Sequence, residues 1–265
     1  MLLPASIMIL ILEDQGDREY MEDRWAYEKN IVDGFDYMAI FDGHGGADVA
    51  SYLKIHMGNI VKEKLQVLIA NHQEPLRNVE VEEIKQVLFD SFKQVVHQIP
   101  SIISLHTGST AVVVIKYGKH IWVANCGDSR AIMNDVSCGA VALTDDHKPD
   151  RPDEEERIVR RGGLVAKAFR EDVPRVNGIL AVSRSVGDFV LYPHVTWEPE
   201  IKYFLATDKN GYLFVATDGI WDTVSNIEVV DIINRCFVAH QYKVIGRELV
   251  ALARGRGSTD NIAFL

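Results

Sequence analysis

Apolar residues recur at helical spacing in two long segments of the first half of the chain. Between Val49 and Leu68, and again between Ile84 and Ile99, apolar side chains return every three or four positions. This period is typical of helices that bury one face. We therefore predict two long helices, with a break at Pro75–Asn78 between them. The same pattern predicts two more helices near the end of the chain, over Ile227–Ala239 and Val244–Arg254.

Short β-rich runs occupy much of the remaining sequence. The run Ile7–Leu12 predicts a buried strand, and Asn210-Gly211 between two apolar runs predicts a tight hairpin. The other predicted strands are Tyr37–Phe41, Thr110–Lys116, Ile121–Asn125, Arg130–Asn134, the two hairpin strands Tyr203–Ala206 and Tyr212–Thr217, and a last strand that begins at Asn261.

The order of these elements favours an α+β fold over a parallel α/β fold. The helices come in groups and the strands come as hairpins, whereas alternating strands and helices would indicate a parallel sheet. The chain has 265 residues, of which 47% are hydrophobic and 25% are charged. Such a chain can bury a sizeable core without disulfides. No change of composition divides it, so we expect a single domain.

Charge and cysteine content restrict the possible partners and the compartment. The formal net charge is −10, which argues against nucleic acid or an anionic membrane as the main partner. Cys126, Cys138 and Cys236 form no CxxC pair, so neither a disulfide framework nor a zinc site is indicated. We expect an intracellular protein, in the cytoplasm, the nucleus or both. The run Ile7–Leu12 is too short to span a membrane.

Acidic residues recur where the predicted strands end. They are Glu22, Asp23, Asp42, Asp128, Asp218, Asp222 and Asp260. Carboxylates at strand ends, with a neighbouring glycine carbonyl such as that of Gly43, are suited to hard cations such as Mg²⁺ or Mn²⁺. A single Asp-Gly pair is more often an ordinary turn, so the prediction of a metal site depends on the combination.

Two further residues have possible roles beside such a site. His44 follows Asp42-Gly43 and could act as a general acid, although a loop histidine is usually a solvated surface group. Arg18 stands four residues before Glu22 and could bind a phosphate, although most arginines are surface residues. The sequence contains no GxxxxGK[ST], HExxH or GxSxG motif, and the spacing from Cys126 to Arg130 is too short for a cysteine-phosphatase loop.

Taken together, the motifs resemble those of the metal-dependent protein phosphatase family, also called protein phosphatase type 2C, in its eukaryotic form. The resemblance covers nearly the whole chain. The matching segments are Arg18–Asp23, Phe41–Gly46, Gly108–Ala111, Ala124–Arg130, Asp146–Pro149, Glu156–Ile158, Arg175–Arg184, Gly187-Asp188, Ala216–Asp222 and Ser258–Asn261.

The resemblance implies a four-layer αββα sandwich of two antiparallel sheets flanked by helices, with two Mn²⁺ or Mg²⁺ ions at one end. Asp42 would bridge the ions, and the Gly43 carbonyl, Asp218, Asp260 and Glu22 would complete their ligands. Asp128 and Asp222 match positions that can hold a weaker third ion, and Asp23 would lie behind the direct ligands. The choice between Mn²⁺ and Mg²⁺ stays open, because both accept these oxygen ligands.

The implied activity is hydrolysis of phosphoserine and phosphothreonine in proteins by a metal-activated water, without a phosphoenzyme. Arg18 would hold the phosphate, and His44 would protonate the leaving serine or threonine oxygen. The polar segment Arg151–Val173 would form part of a flap beside the cleft. We expect a monomer that binds phosphoproteins and no membrane.

Two alternatives to an active phosphatase remain. A pseudophosphatase would use the same fold as a protein-binding scaffold, but such relatives usually lose metal carboxylates, and this chain keeps Asp42, Asp218 and Asp260. A structural acidic domain, whose Asp-Gly pairs are only turns, would bind no metal. Against the family pattern, residues 1–265 are expected to form one catalytic domain that is shortened at both ends.

Overall fold

The computed structural model describes residues 9–71, 80–170 and 172–265. Most of the β-structure lies in two large antiparallel sheets. The strands are β1 (Leu12–Asp14), β2 (Arg24–Val32), β3 (Phe35–Phe41), β4 (Gly43–His44), β5 (Gly108–Ser109), β6 (Ala111–Tyr117), β7 (His120–Cys126), β8 (Arg130–Asp135), β9 (Gly139–Ala142), β10 (Val165–Ala166), β11 (Arg175–Val176), β12 (Val186–Gly187), β13 (Glu200–Leu205), β14 (Leu213–Ala216) and β15 (Ile262–Phe264).

The four long helices lie where the apolar periodicity predicts them. The α-helices are α1 (Asp48–Asn71), α2 (Val81–Gln98), α3 (Ser101–Ser104), α4 (Pro152–Arg160), α5 (Asp218–Trp221), α6 (Asn226–Val238) and α7 (Ile245–Gly255), and 3₁₀ turns lie at Phe189–Leu191 and Tyr242–Val244. Among the helices of the described ranges, none is long and apolar enough to cross a membrane.

The two sheets pack face to face and each is covered by helices on its outer side. One sheet has the strand order β13-β7-β6-β3-β2 and the other β1-β15-β14-β8-β9. Fully buried residues such as Ile40, Val112 and Val215 fill the space between the sheets. The first sheet packs against α1 and α2 through another buried cluster, and the second packs against α6 and α7. This arrangement confirms the predicted four-layer αββα sandwich.

Local sequence explains where two of the helices begin. Ser225 precedes α6, and its hydroxyl accepts the Glu228 amide while the Glu228 carboxylate accepts the Ser225 amide. This reciprocal pair satisfies backbone donors that the first helical turn leaves free. Helix α4 begins with Pro152, followed by Asp153, Glu154 and Glu155 in its first turn, as expected from the fixed proline φ and the helix dipole.

The predicted Asn210-Gly211 hairpin is wrong. Strand β13 pairs with β7 in one sheet, whereas β14 pairs with β8 and β15 in the other. The Asn-Gly turn therefore carries the chain from one sheet to the other. Its backbone is held from outside, because Asn134 Oδ1 accepts the amides of Gly211 and Tyr212 at 2.6 and 3.0 Å.

The predicted buried strand Ile7–Leu12 is also not found as such. Residues 7 and 8 lie outside the described residues, strand β1 begins only at Leu12, and Ile11 is exposed. Strand β1 pairs with β15 through Leu12 and Phe264, so it is an edge strand of only three residues. An apolar run alone does not tell an edge from a buried centre.

A small three-stranded sheet lies beside the ends of the large sheets. Its order is β12-β5-β4, and β5 pairs with both neighbours through Gly108 and Ser109. Strand β4 contains His44, and β12 leads directly into Asp188. Three segments far apart in sequence are thereby brought to one place, which determines the surroundings of His44.

The packing of α1 on the first sheet yields a stability prediction. Leu53 is fully buried, whereas Ile55 on the same helix is 61% exposed. Replacing Leu53 with alanine should lower the free energy of unfolding by about 2–5 kcal/mol, because it removes buried methyl groups and leaves a cavity. Ile55→Ala should change it by less than about 0.5 kcal/mol. Denaturant unfolding of the two variants measures the difference, and equal losses would contradict this packing.

Candidate active site

Three acidic residues converge at one end of the sandwich. Asp42 follows β3, Asp128 lies in the turn between β7 and β8, and Asp218 opens α5 just after β14. One carboxylate oxygen from each lies within 4.8 Å of the others. Strand ends from both sheets therefore bring together three of the acidic residues that the sequence selects as metal ligands. We call these three residues the carboxylate cluster.

The backbone of Asp42 is fixed by Thr110. The Asp42 amide donates to Thr110 Oγ1 at 3.1 Å, and the Thr110 amide donates to the Asp42 carbonyl at 2.9 Å. Thr110 Oγ1 also shares a hydrogen bond of 2.7 Å with Ser129 Oγ. The Thr110 hydroxyl thus supports the cluster through the main chain, and these contacts hold Asp42 in a defined position.

Two glycines allow the loops of the site to touch. A Cβ atom at Gly43 would lie 2.7 Å from the Glu22 carbonyl oxygen, and one at Gly219 would overlap the Asn261 carbonyl oxygen. Only glycine fits such close backbone approaches. The Asp-Gly pairs are therefore more than turns: each holds its aspartate against another loop that carries an acidic residue, Glu22 or Asp260.

Burial and mutual repulsion raise the pKa of two carboxyl groups in the carboxylate cluster. Burial raises the pKa of Asp42 well above its usual range, and the charges of Asp23 and Asp128 raise it further. Burial likewise raises the pKa of Asp218, with Asp42 and Asp128 adding to the shift. Carboxylates held this close need positive charge to stay ionised together. Their oxygen donors fit hard divalent cations, whose charge would offset the repulsion.

Part of the required positive charge comes from Lys148. Its Nζ lies 2.5 Å from Asp128 Oδ2 and 3.7 Å from Asp222 Oδ1. Burial lowers the pKa of Lys148, but the charges of Asp128 and Asp222 outweigh that effect, and the net shift is upward. Protonated Lys148 therefore pairs with Asp128 and Asp222, the two residues that the family resemblance assigns to a weaker third ion. Lys148 lies in the matching segment Asp146–Pro149, but no local pattern of the sequence indicates this contact.

Asp260 and Glu22 lie outside the carboxylate cluster. Asp260 Oδ2 accepts a hydrogen bond from Arg18 Nη2 at 2.6 Å, so the predicted phosphate-binding residue and a predicted metal ligand are paired. The Asp260 charge still contributes to the raised pKa of Asp42. The Glu22 amide donates to Asn261 Oδ1 at 2.7 Å, which keeps Glu22 beside the Asp260 loop.

Asp23 is almost fully buried behind the site. Its Oδ2 accepts a hydrogen bond from Thr217 Oγ1 at 2.8 Å, and Thr217 directly precedes Asp218. Burial raises the pKa of Asp23 to about 8. Asp23 is not one of the three residues of the carboxylate cluster, and it contacts the segment that carries Asp218.

His44 is paired with a residue that sequence reasoning missed. Its Nε2 lies 2.6 Å from Asp188 Oδ2, and Ser185 Oγ donates to the same oxygen at 2.5 Å. Burial lowers the pKa of His44, but the hydrogen bond and charge of Asp188 raise it, and the net shift is upward. Gly187-Asp188 was present among the matching motifs, but the separation of 144 residues hid the contact.

The segment after the cluster is anchored by a buried glutamate. Glu154 in α4 is 1% exposed, and its oxygens accept hydrogen bonds from Arg157 and Arg184 at 2.8 and 2.6 Å. Strands β10 and β11 form a separate two-stranded ribbon after this helix. The segment Arg151–Val173 therefore contains the anchored helix α4 and the first strand, β10, of this ribbon, and its role as a flap stays a prediction.

The same fold occurs in solved structures of other proteins, one of which is a phosphatase. A serine-threonine phosphatase 2C from Toxoplasma gondii superposes with a TM-score of 0.86 at 23% identity, covering 96% of this chain and 92% of that one. A C. elegans sex determining protein superposes with a TM-score of 0.82 at 24% identity, covering 96% of this chain and 62% of that one. At these identities the similarity establishes the fold.

Sequence comparison establishes the family. The family model described as "Protein phosphatase 2C" matches residues 12–262. "Probable protein phosphatase 2C 55" from Oryza sativa subsp. japonica is 36% identical over 252 residues, which cover 94% of this chain and 62% of the relative. "Probable protein phosphatase 2C 8" from the same organism is 38% identical over 259 residues, with 90% and 63% coverage. The chain belongs to the protein phosphatase 2C family, and it spans about three fifths of the length of these two relatives.

The buried Asp23 predicts a pH dependence of stability in the metal-free protein. Its pKa of about 8 in the folded state compares with about 4 for a free aspartate. Between these values the folded protein keeps a proton that the unfolded chain has lost, so stability falls as pH rises. Melting temperatures measured in EDTA from about pH 5 to about pH 8 should decrease, and Asp23→Asn should weaken this decrease. An unchanged slope in the variant would contradict the assignment.

Proposed function

We propose that this protein is a metal-dependent phosphatase that hydrolyses phosphoserine and phosphothreonine in proteins. The single observation that carries the proposal is the convergence of Asp42, Asp128 and Asp218 within 4.8 Å. Membership of the protein phosphatase 2C family supports it independently. No nucleophilic side chain is needed, and burial raises the pKa of the nearby Cys126 thiol, which makes a thiolate nucleophile there unfavourable.

The donor set fits two Mn²⁺ or Mg²⁺ ions. Asp42 and Asp218 would hold them together with the Gly43 carbonyl, while Asp260 and Glu22 would contribute from the adjoining loops. Bound cations of this kind lower the pKa of water towards neutrality and stabilise the charge on phosphate oxygens. Asp128 and Asp222 would accept a third, weaker ion only in competition with Lys148, because Lys148 Nζ already lies 2.5 Å from Asp128.

Arg18 is the residue that would bind the phosphate. Its side chain is 54% exposed, and only Nη2 is engaged by Asp260. A guanidinium has five N–H donors in a fixed plane, so the remaining donors can bind two phosphate oxygens while the bond to Asp260 persists. Asp260 would thereby orient Arg18 towards the cations that bind the same phosphate.

His44 would act as the general acid. The bond from the phosphorus to the serine or threonine oxygen breaks as water attacks from the opposite side. The leaving oxygen takes its electron pair and receives a proton from the imidazolium of His44. The upward shift of the His44 pKa caused by Asp188 favours the protonated ring at neutral pH. The neutral ring is then reprotonated from solvent.

The proposed function also implies partners and a location in the cell. Phosphoproteins are the proposed partners, and the segment Arg151–Val173 is the proposed flap that contacts them. The three cysteines are unpaired, which fits the proposed intracellular location. We also propose that the protein acts as a monomer. Relatives that act as scaffolds usually lose metal carboxylates, whereas this chain keeps the carboxylate cluster, so nothing observed favours the scaffold alternative.

Phosphate release from a phosphothreonine peptide tests the proposal directly. The protein should release phosphate with Mn²⁺ and stop when EDTA is added in excess, because the carboxylates alone provide no activated water. Activity that survives EDTA would contradict the dimetal mechanism. Absence of release from folded protein under both conditions would favour the scaffold alternative.

Removing one carboxylate of the cluster should abolish turnover. Asp218→Asn should lower the rate in Mn²⁺ by at least about a hundredfold, since a lost ligand removes several kcal/mol of transition-state stabilisation. Asp36→Asn is the matched control, because Asp36 lies at the opposite end of β3 and pairs with Lys116 at 3.8 Å. Similar rates for the Asp218 variant and the control, both shown to be folded, would refute the role of the cluster.

A further inference from the structure

His44 and Asp188 form a pair that is enclosed on several sides. His44 Nε2 lies 2.6 Å from Asp188 Oδ2, and the side chain of Asp188 is only 6% exposed whereas that of His44 is 27% exposed. Within the described part of the chain, Nδ1 of His44 has no hydrogen-bond partner. One ring nitrogen is therefore held by the protein, and the other makes no hydrogen bond to the described residues.

We propose that Asp188 is a positioning residue for the reaction: it fixes the His44 ring through Nε2, so that Nδ1 is the nitrogen that donates the proton to the leaving serine or threonine oxygen. This inference rests on the proposed phosphatase function. It assigns a role to Asp188 and identifies the reactive nitrogen of His44. An aspartate that binds one nitrogen of a histidine sets the orientation and the tautomer of the ring, and Asp188 would do so for His44.

The position of the Asp188 carboxylate is itself determined by its surroundings. Ser185 Oγ donates to the same oxygen that His44 contacts, at 2.5 Å, and the Asp188 amide donates to the Thr107 carbonyl at 3.1 Å. Asp188 has a φ of +49°, in the left-handed region, which aspartate tolerates better than most residues but at some energetic expense. Such a conformation persists only where neighbouring contacts impose it.

Gly108 provides the space in which the two side chains meet. A Cβ atom at Gly108 would overlap Asp188 Oδ2 and would lie 2.5 Å from His44 Nε2. Gly108 has no positive φ and pairs with both His44 and Gly187 in the small sheet. The absence of a side chain at this position is therefore required by the contact between His44 and Asp188 rather than by the backbone.

The positioning role predicts a loss that depends on the leaving group. The phenolate of an aryl phosphate leaves without taking up a proton, whereas a serine or threonine alkoxide needs one. Asp188→Asn, which keeps the size of the side chain and suits the left-handed backbone, should lower kcat on a phosphothreonine peptide by about tenfold or more. It should change kcat on an aryl phosphate by less than about threefold, and KM for Mn²⁺ activation should stay unchanged. Equal losses on both substrates would overturn the proposal.

A double-mutant cycle separates positioning from a structural role. In a His44→Ala background there is no ring to position, so adding Asp188→Asn should cause almost no further loss on the peptide. A merely structural aspartate would cause the same loss with or without His44, and additive losses would overturn the proposal. Asp36→Asn is again the matched control, and it should leave both rates unchanged.

A second variant disrupts the contact between His44 and Asp188 in a different way, in case Asp188→Asn does not fold. Gly108→Ala keeps both residues but inserts a methyl group where their side chains meet, which forces them apart. It should reproduce the selective loss on the phosphothreonine peptide, with thermal melting used to check that the variant is folded. Full activity of Gly108→Ala on the peptide would contradict the role of the contact.

The outcomes distinguish this inference from the proposed function. A wild-type protein that hydrolyses neither substrate with Mn²⁺ removes the proposed function and the inference with it. A wild-type protein that hydrolyses both substrates, combined with unselective losses in Asp188→Asn, removes only the inference. Selective losses in Asp188→Asn that disappear in the His44→Ala background support both.

Discussion

The repulsion between Asp42, Asp128 and Asp218 is the constraint on which the rest of the site depends. Their carboxylate oxygens lie within 4.8 Å of one another, a spacing that is unfavourable for ionised groups without nearby positive charge. Lys148 provides one such charge, beside Asp128. Divalent cations would provide the remainder and would turn an unfavourable cluster into a binding site. The carboxylate cluster is therefore an arrangement that bound divalent cations would stabilise.

The sandwich makes this arrangement possible because the buried core that stabilises the strands is separate from the loops that carry the acidic residues. Buried apolar layers between the sheets and beneath the helices stabilise the strands, while the acidic residues lie just beyond the strand ends. Thr110 fixes the main chain at Asp42, and Gly219 lets the Asp218 turn touch the Asp260 loop. The free energy of the core thus offsets the repulsion and the strained backbone of the site.

Much of the fold and part of the site could be predicted from the sequence. Helical periodicity located the four long helices, and the position of Asp42 and Asp218 after apolar strands identified two residues of the carboxylate cluster. The Asn210-Gly211 hairpin was wrong because alternation in a strand does not say which sheet it joins. Asp188 and Lys148 were missed because their roles come from long-range contacts with His44 and Asp128, for which local patterns contain no information.

Calorimetric titration of Mn²⁺ into the metal-free protein measures whether the carboxylate cluster binds metal, without requiring any substrate. We expect that the folded protein binds at least two ions, that binding releases protons from the cluster, and that Asp42→Asn weakens binding while leaving the protein folded. A folded protein that binds no Mn²⁺, or an Asp42→Asn variant that binds it as well as the wild type, would contradict the account.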